Sequence, residues 1–109
     1  MQENLKNIFE VPEDLSLIDE VFEKIFEDKK IKIERIISKG QKTKEDEWLK
    51  EKWDEFVILL QGKAILSFKS GDLINMEKGD YLFIQKDLEH RVEYTSEDPV
   101  CIWLSIFLK

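Results

Sequence analysis

Glu55 and His90 are the residues of this chain whose types and positions could do chemistry. His90 is the only histidine, and Glu55 opens the apolar run Phe56 to Leu60. Together in an apolar enclosure they would form an acid–base pair. Burial raises a carboxylate's pKa while an adjacent imidazolium lowers it, and the competition can leave one group poised near neutrality. The plainer alternatives are an interior histidine hydrogen-bonded to Glu55 or to a tyrosine hydroxyl, and a glutamate at the solvated end of a strand. No nucleophilic centre competes with this pair. Ser38, Ser67, Ser70, Ser96 and Ser105 lack an elbow-like glycine context, and Gly62, Gly71 and Gly79 are isolated glycines rather than a phosphate-binding loop.

Both residues lie in a region of period-two hydrophobicity. Ile31 to Ile37, Phe56 to Leu60, Ala64 to Phe68, Leu73 to Met76, Tyr81 to Ile84, His90 to Tyr94 and Val100 to Phe107 read as short strands. Gly40, Gln61-Gly62-Lys63, Ser70-Gly71-Asp72, Lys78-Gly79-Asp80 and Ser96-Glu97-Asp98-Pro99 punctuate them as turns. Strands at such regular spacing predict an all-β sandwich or barrel. Upstream, Leu17, Ile18, Val21, Phe22, Ile25 and Phe26 recur at the helical period, predicting a helix over 16–27 with Ser16 as its cap. Residues 1–30 are thus expected to form a segment with a helix packed on a barrel of residues 31–109, the whole being one globular unit. Residues 41–54 are polar and predict a long exposed loop, a candidate rim for a pocket.

Alternation assigns the inward side chains. On the strand around His90, the imidazole shares a face with Val92 and Tyr94, opposite Arg91 and Glu93. On the last strand the mixed face of Cys101, Trp103, Ser105 and Phe107 is the expected pocket lining, opposed by the aliphatic face of Val100, Ile102, Leu104 and Ile106. Strands that are apolar on both faces need cover on the outside. A homodimer through the outer sheet faces is the expected arrangement, with the helix alone as the alternative cover. Trp48 and Trp53, in the charged loop, are expected to fold back over the barrel mouth or onto a second subunit. The sharper reading has one of them stacked on a flat ligand.

At 109 residues the chain is one domain. Charged residues make up 38% and apolar ones 42%, a balance that supports a packed core under a solvated surface. A net charge of −7 argues against nucleic acid and anionic membranes as partners. The single cysteine, Cys101, rules out an intrachain disulfide, and its apolar neighbours mark a buried thiol. With no signal-peptide core and no span of about 20 apolar residues, a cytoplasmic location is expected.

The spacing Glu55, six residues, Gly62 resembles the end of the first motif of the cupin family, and Gly79 through Gln85 and Asp87 to His90 resembles the second. Segments IERIISKGQ, DEFVILLQGKAIL, KGDYLFI, HRVEYTSEDP and IWLSI look like those of small single-domain bacterial cupins, over about residues 31–107. The resemblance implies an antiparallel jelly-roll β-barrel. It also implies a divalent transition metal held by three histidines and a glutamate, of which Glu55 and His90 would be the two remaining ligands. Trp48 to Glu51 hold no histidine where the paired ones belong, and Phe107 stands where small relatives often carry another. Glu47, Glu51 or Asp54 could supply further oxygens, and Zn, Mn, Fe or Ni weakly held is the cofactor implied.

The function expected is therefore binding of a small molecule near Glu55 and His90, with Tyr94, Trp103, Ser105 and Phe107 as walls. A metal-dependent isomerase, decarboxylase or dioxygenase is the alternative, and a barrel filled by its own side chains a third.

Overall fold

The computed structural model describes residues 4–15 and 19–109. Eight strands follow one another: β1 Val21–Glu27, β2 Ile31–Ser38, β3 Asp54–Gln61, β4 Ala64–Phe68, β5 Leu73–Met76, β6 Tyr81–Ile84, β7 His90–Thr95 and β8 Cys101–Leu108. They pair antiparallel throughout, in a five-stranded sheet of order β1-β2-β8-β3-β6 and a three-stranded sheet of order β5-β4-β7. All seven runs expected from period-two hydrophobicity are strands. The two sheets face each other across a core in which Val57, Leu59, Ile84, Cys101 and Trp103 of the larger meet Ala64, Leu66, Phe68 and Met76 of the smaller. Among the described residues no helix is long and apolar enough to cross a membrane.

The expected N-terminal helix is not there. Residues 16–18 lie outside the described residues, and Val21–Glu27 is an edge strand paired with β2. The apolar pairs Val21-Phe22 and Ile25-Phe26 fit one side of a helix, but they fit equally a bulged strand that is apolar on both faces. The register breaks between Lys24 and Phe26. Phe22 stays opposite Ile36 on the inward side, and Phe26 lands opposite Ile33 on the outward side. β-Branched and aromatic residues beside an available strand edge favour this solution over a solvated helix.

Turn chemistry sets the registers. Gly62, with φ of 93°, closes the β3–β4 connection in backbone space that an L side chain rarely enters. A Cβ at this position would lie 2.8 Å from the Cys101 sulfur and 2.9 Å from the Cys101 Cα.

Candidate functional site

At one end of the barrel, where β3 and β7 begin and β8 finishes, the sheets enclose a cavity of about 360 Å³. Its apolar wall comprises Val57, Leu66, Ile84, Val92, Trp103 and Phe107, and its polar groups include Glu55, His90 and Ser105. Residues 39–53 form a strap across the mouth that contributes Thr43, Lys44, Glu47, Leu49 and Glu51. Trp103, Ser105 and Phe107 thus sit where the alternation of β8 puts them.

Glu55 is 7% exposed. It and Ser105 share the inner face of paired strands, two residues apart in register, and Ser105 Oγ donates to Glu55 Oε2 at 2.8 Å. Oε1 has no hydrogen-bond partner among the described residues. Burial pushes the carboxyl up to about 7; the Ser105 hydrogen bond opposes the shift, and the negative charges of Glu51 and Glu34 add to it. Near neutrality Glu55 therefore exists in both protonation states.

His90 is 5% exposed. Its Nδ1 lies 2.9 Å from the Leu88 carbonyl oxygen. Because a carbonyl only accepts, Nδ1 carries a proton, and in the neutral ring Nε2 then presents a lone pair. Nε2 has no partner among the described residues. The Phe68 ring packs against the imidazole at a centroid distance of 5.9 Å. No hydrogen bond joins His90 to Glu55, so each side chain keeps one atom free toward the same cavity.

Two further carboxylates line the cavity that sequence reasoning passed over. Glu20, just before β1, accepts a hydrogen bond from Ser38 Oγ. Ser38 in turn accepts from Trp103 Nε1 at 3.2 Å. Burial raises the Glu20 pKa, and the Ser38 bond works against the rise. Glu34 projects from β2 between Lys32 and Ile36 on the cavity side, with Lys32 Nζ 3.6 Å from its Oε2. The inverted alternation of IKIERIIS, with Lys32 and Glu34 across from Ile31, Ile33 and Arg35, was the available signal.

Tyr94 is a correction. It is 48% exposed and does not line the cavity. Leu66 pairs with Val92 but Ile65 pairs with Tyr94, so Glu93 is an extra residue in β7. That bulge returns Thr95, not Tyr94, to the interior. Neither tryptophan of the strap lines the cavity. Trp48 lies under the Arg91 guanidinium at 5.8 Å, and Trp53 packs edge-on against Phe107, centroids 6.3 Å apart.

The donor set does not fit a resident transition metal. Among the described residues no three His, Cys, Asp or Glu side chains converge as a metal-holding group. Asp54 is turned away, its Oδ1 accepting from the Lys86 amide at 2.9 Å. One imidazole and one half-engaged carboxylate fall short of the three protein donors that a catalytic zinc takes.

The family model of the cupin domain matches residues 36–107. The chain belongs to the cupin family. A solved structure from Ralstonia eutropha JMP134, named "putative mannose-6-phosphate isomerase", is 30% identical, with a TM-score of 0.85, over 96% of this chain and 97% of that one. A cupin superfamily protein of Desulfitobacterium hafniense DCB-2 shares the fold at a TM-score of 0.72 and 16% identity, over 87% of this chain and 82% of its own. An RmlC-like cupin of Methanocaldococcus jannaschii with a double-stranded β-helix fold does so at 0.70 and 13%, over 95% of this chain and 91% of its own. No curated protein matches the chain in sequence.

Proposed function

We propose that this cupin binds a small organic molecule in the cavity bounded by Glu55 and His90. The observation that carries the reading is a pair of polar side chains, each more than nine-tenths buried, that keep Oε1 and Nε2 unpaired in the wall of one cavity. Neither atom is sealed from the cavity space, so a bound molecule's donors can take the place of water on both. Trp103, Ser105 and Phe107 are the walls of this site. A cytoplasmic setting belongs to the same reading.

Thermal melting of untagged protein against a panel of small metabolites tests it. A ligand at 100 times its Kd adds about 2.7 kcal/mol to the folded state, seen as a saturable rise of several degrees that His90→Ala abolishes. A melting temperature unmoved by every compound would overturn it. Stoichiometric metal by elemental analysis, lost in Glu55→Ala, would replace it with the metal-dependent enzyme reading.

We further infer a homodimer through the outer face of the larger sheet. Phe83, Phe56, Ile106, Ile33 and Phe26 align in register across all five strands, edge to edge. Phe83 and Phe26 are about half exposed. Copies carrying −7 each repel one another elsewhere, and an uncharged row can meet its own twofold mate.

A further inference from the structure

Resting on the small-molecule reading, and narrowing it, we propose that the cavity selects an organic cation, a small amine, whose N–H groups are received by Glu55 and His90 and whose charge is matched by the cavity's excess of carboxylates. The charged groups that face this space come from every side. β3 supplies Glu55, β2 supplies Lys32 and Glu34, the residue before β1 is Glu20, and the strap adds Lys44, Glu47 and Glu51. β6 and β8 contribute no charge there, and β7 contributes His90.

Carboxylates therefore outnumber ammonium groups, five to two, and pairing Lys32 with Glu34 leaves the formal excess at three. The Lys32 charge is met by Glu34 at 3.6 Å and rests over the Phe107 ring at 5.7 Å. Lys44 is exposed on the strap. A concave, low-dielectric wall concentrates the remaining negative field. The free atoms agree with this sign. With Nδ1 committed to the Leu88 carbonyl, Nε2 of the neutral ring can only accept. Nε2 and Glu55 Oε1 together call for a ligand rich in N–H donors. An anion such as a sugar phosphate would instead face the carboxylates with Lys44 as its one unpaired cation.

The test uses a single four-carbon frame carrying three charges: 1,4-diaminobutane, 1,4-butanediol and succinate, titrated into untagged protein by calorimetry and thermal melting. The diamine is expected to bind at least about tenfold more tightly than the diol, with no heat from succinate. Glu55→Gln and Glu34→Gln should each weaken it about tenfold, the size of one charge-assisted hydrogen bond, whereas Glu77→Gln, on the far surface, should not. Succinate or the diol binding as well as the diamine overturns the cation preference but leaves a ligand cavity standing. Diamine binding that survives both cavity substitutions, or no binding of the diamine, also overturns it. The metabolite panel decides the cavity itself.

Discussion

Leu49 and His90 exchange two main-chain hydrogen bonds, the Leu49 amide donating to the His90 carbonyl at 2.7 Å and the His90 amide to the Leu49 carbonyl at 3.0 Å. The strap is thereby registered on the site histidine. Thr43 and Val92 tie it further along, as do Glu51 and Asp87. Arg91, on the outer face beside His90, donates to the carbonyls of Glu47, Lys44 and Thr43 at 3.1, 3.4 and 3.4 Å.

Arg91→Ala should release the strap without unfolding the barrel. Hydrogen bonds from a charged donor are worth about 1.5–3 kcal/mol, so the amides of Thr43 and Leu49 should exchange about tenfold faster or more. Arg91→Lys lacks the planar fork and should restore little of the protection. Hydrogen exchange resolved by residue checks both.

Glu55 makes stability depend on pH in a stated direction. The folded protein holds this proton up to about pH 7, the unfolded chain only to its ordinary 4.5. Between those values the folded state binds more protons, so stability contributed by this group falls as pH rises through the window and levels off above it. The full swing is on the order of 3 kcal/mol. Urea unfolding at pH 5 and pH 8 should show a larger loss in the wild type than in Glu55→Gln, which keeps the contribution of Glu20. Subtracting the two removes the contributions of other carboxyls.

Ser105→Ala removes the one hydrogen bond that holds the Glu55 pKa down. The carboxyl should titrate higher than in the wild type, read from its ¹³C shift. Leaving Oε2 without its donor should cost about 1–3 kcal/mol at alkaline pH.

Gly62→Ala meets both a left-handed φ and occupied space. The Cys101 backbone cannot yield as a side-chain tip would. A loss of roughly 2 kcal/mol or more is expected, visible as a lower denaturation midpoint at unchanged slope.

Phe83→Glu places a charge in the outer apolar row. Light scattering should report a monomer for this variant and a dimer for the wild type. A wild-type monomer at working concentration would remove the dimer reading.

The sequence disclosed most of this architecture because its strands are short, alternate and end at glycines, which is the local code for antiparallel pairing. Trp103, Ser105 and Phe107 reach the cavity by simple parity and His90 by its place at the start of β7, whereas β3 is apolar on both faces, so parity left Glu55 open and only the motif resemblance pointed it inward. Two of the failures share one cause. A bulge costs the alternation one residue, which no pattern of hydrophobicity announces: it disguised β1 as a helix and turned Tyr94 outward. Glu20 and Glu34 were passed over because a charged residue before or within a strand resembles any solvated one, and only elements distant in sequence, such as β8 and the strap, make their surroundings an interior.

The surplus residue at Glu93 governs more than one phenol. Deleting it would leave Val92, Tyr94 and Thr95 on the faces they now hold, whereas flattening it with no residue removed would set Tyr94 opposite Ala64, swing its ring to the inside and carry Thr95 out of contact with the Gln41 carbonyl it now reaches at 2.5 Å. The surplus residue thus keeps a small threonine rather than a phenol against Ala64 in the closed end of the barrel, and the open space stays confined to the end that Leu66 and Val92 line.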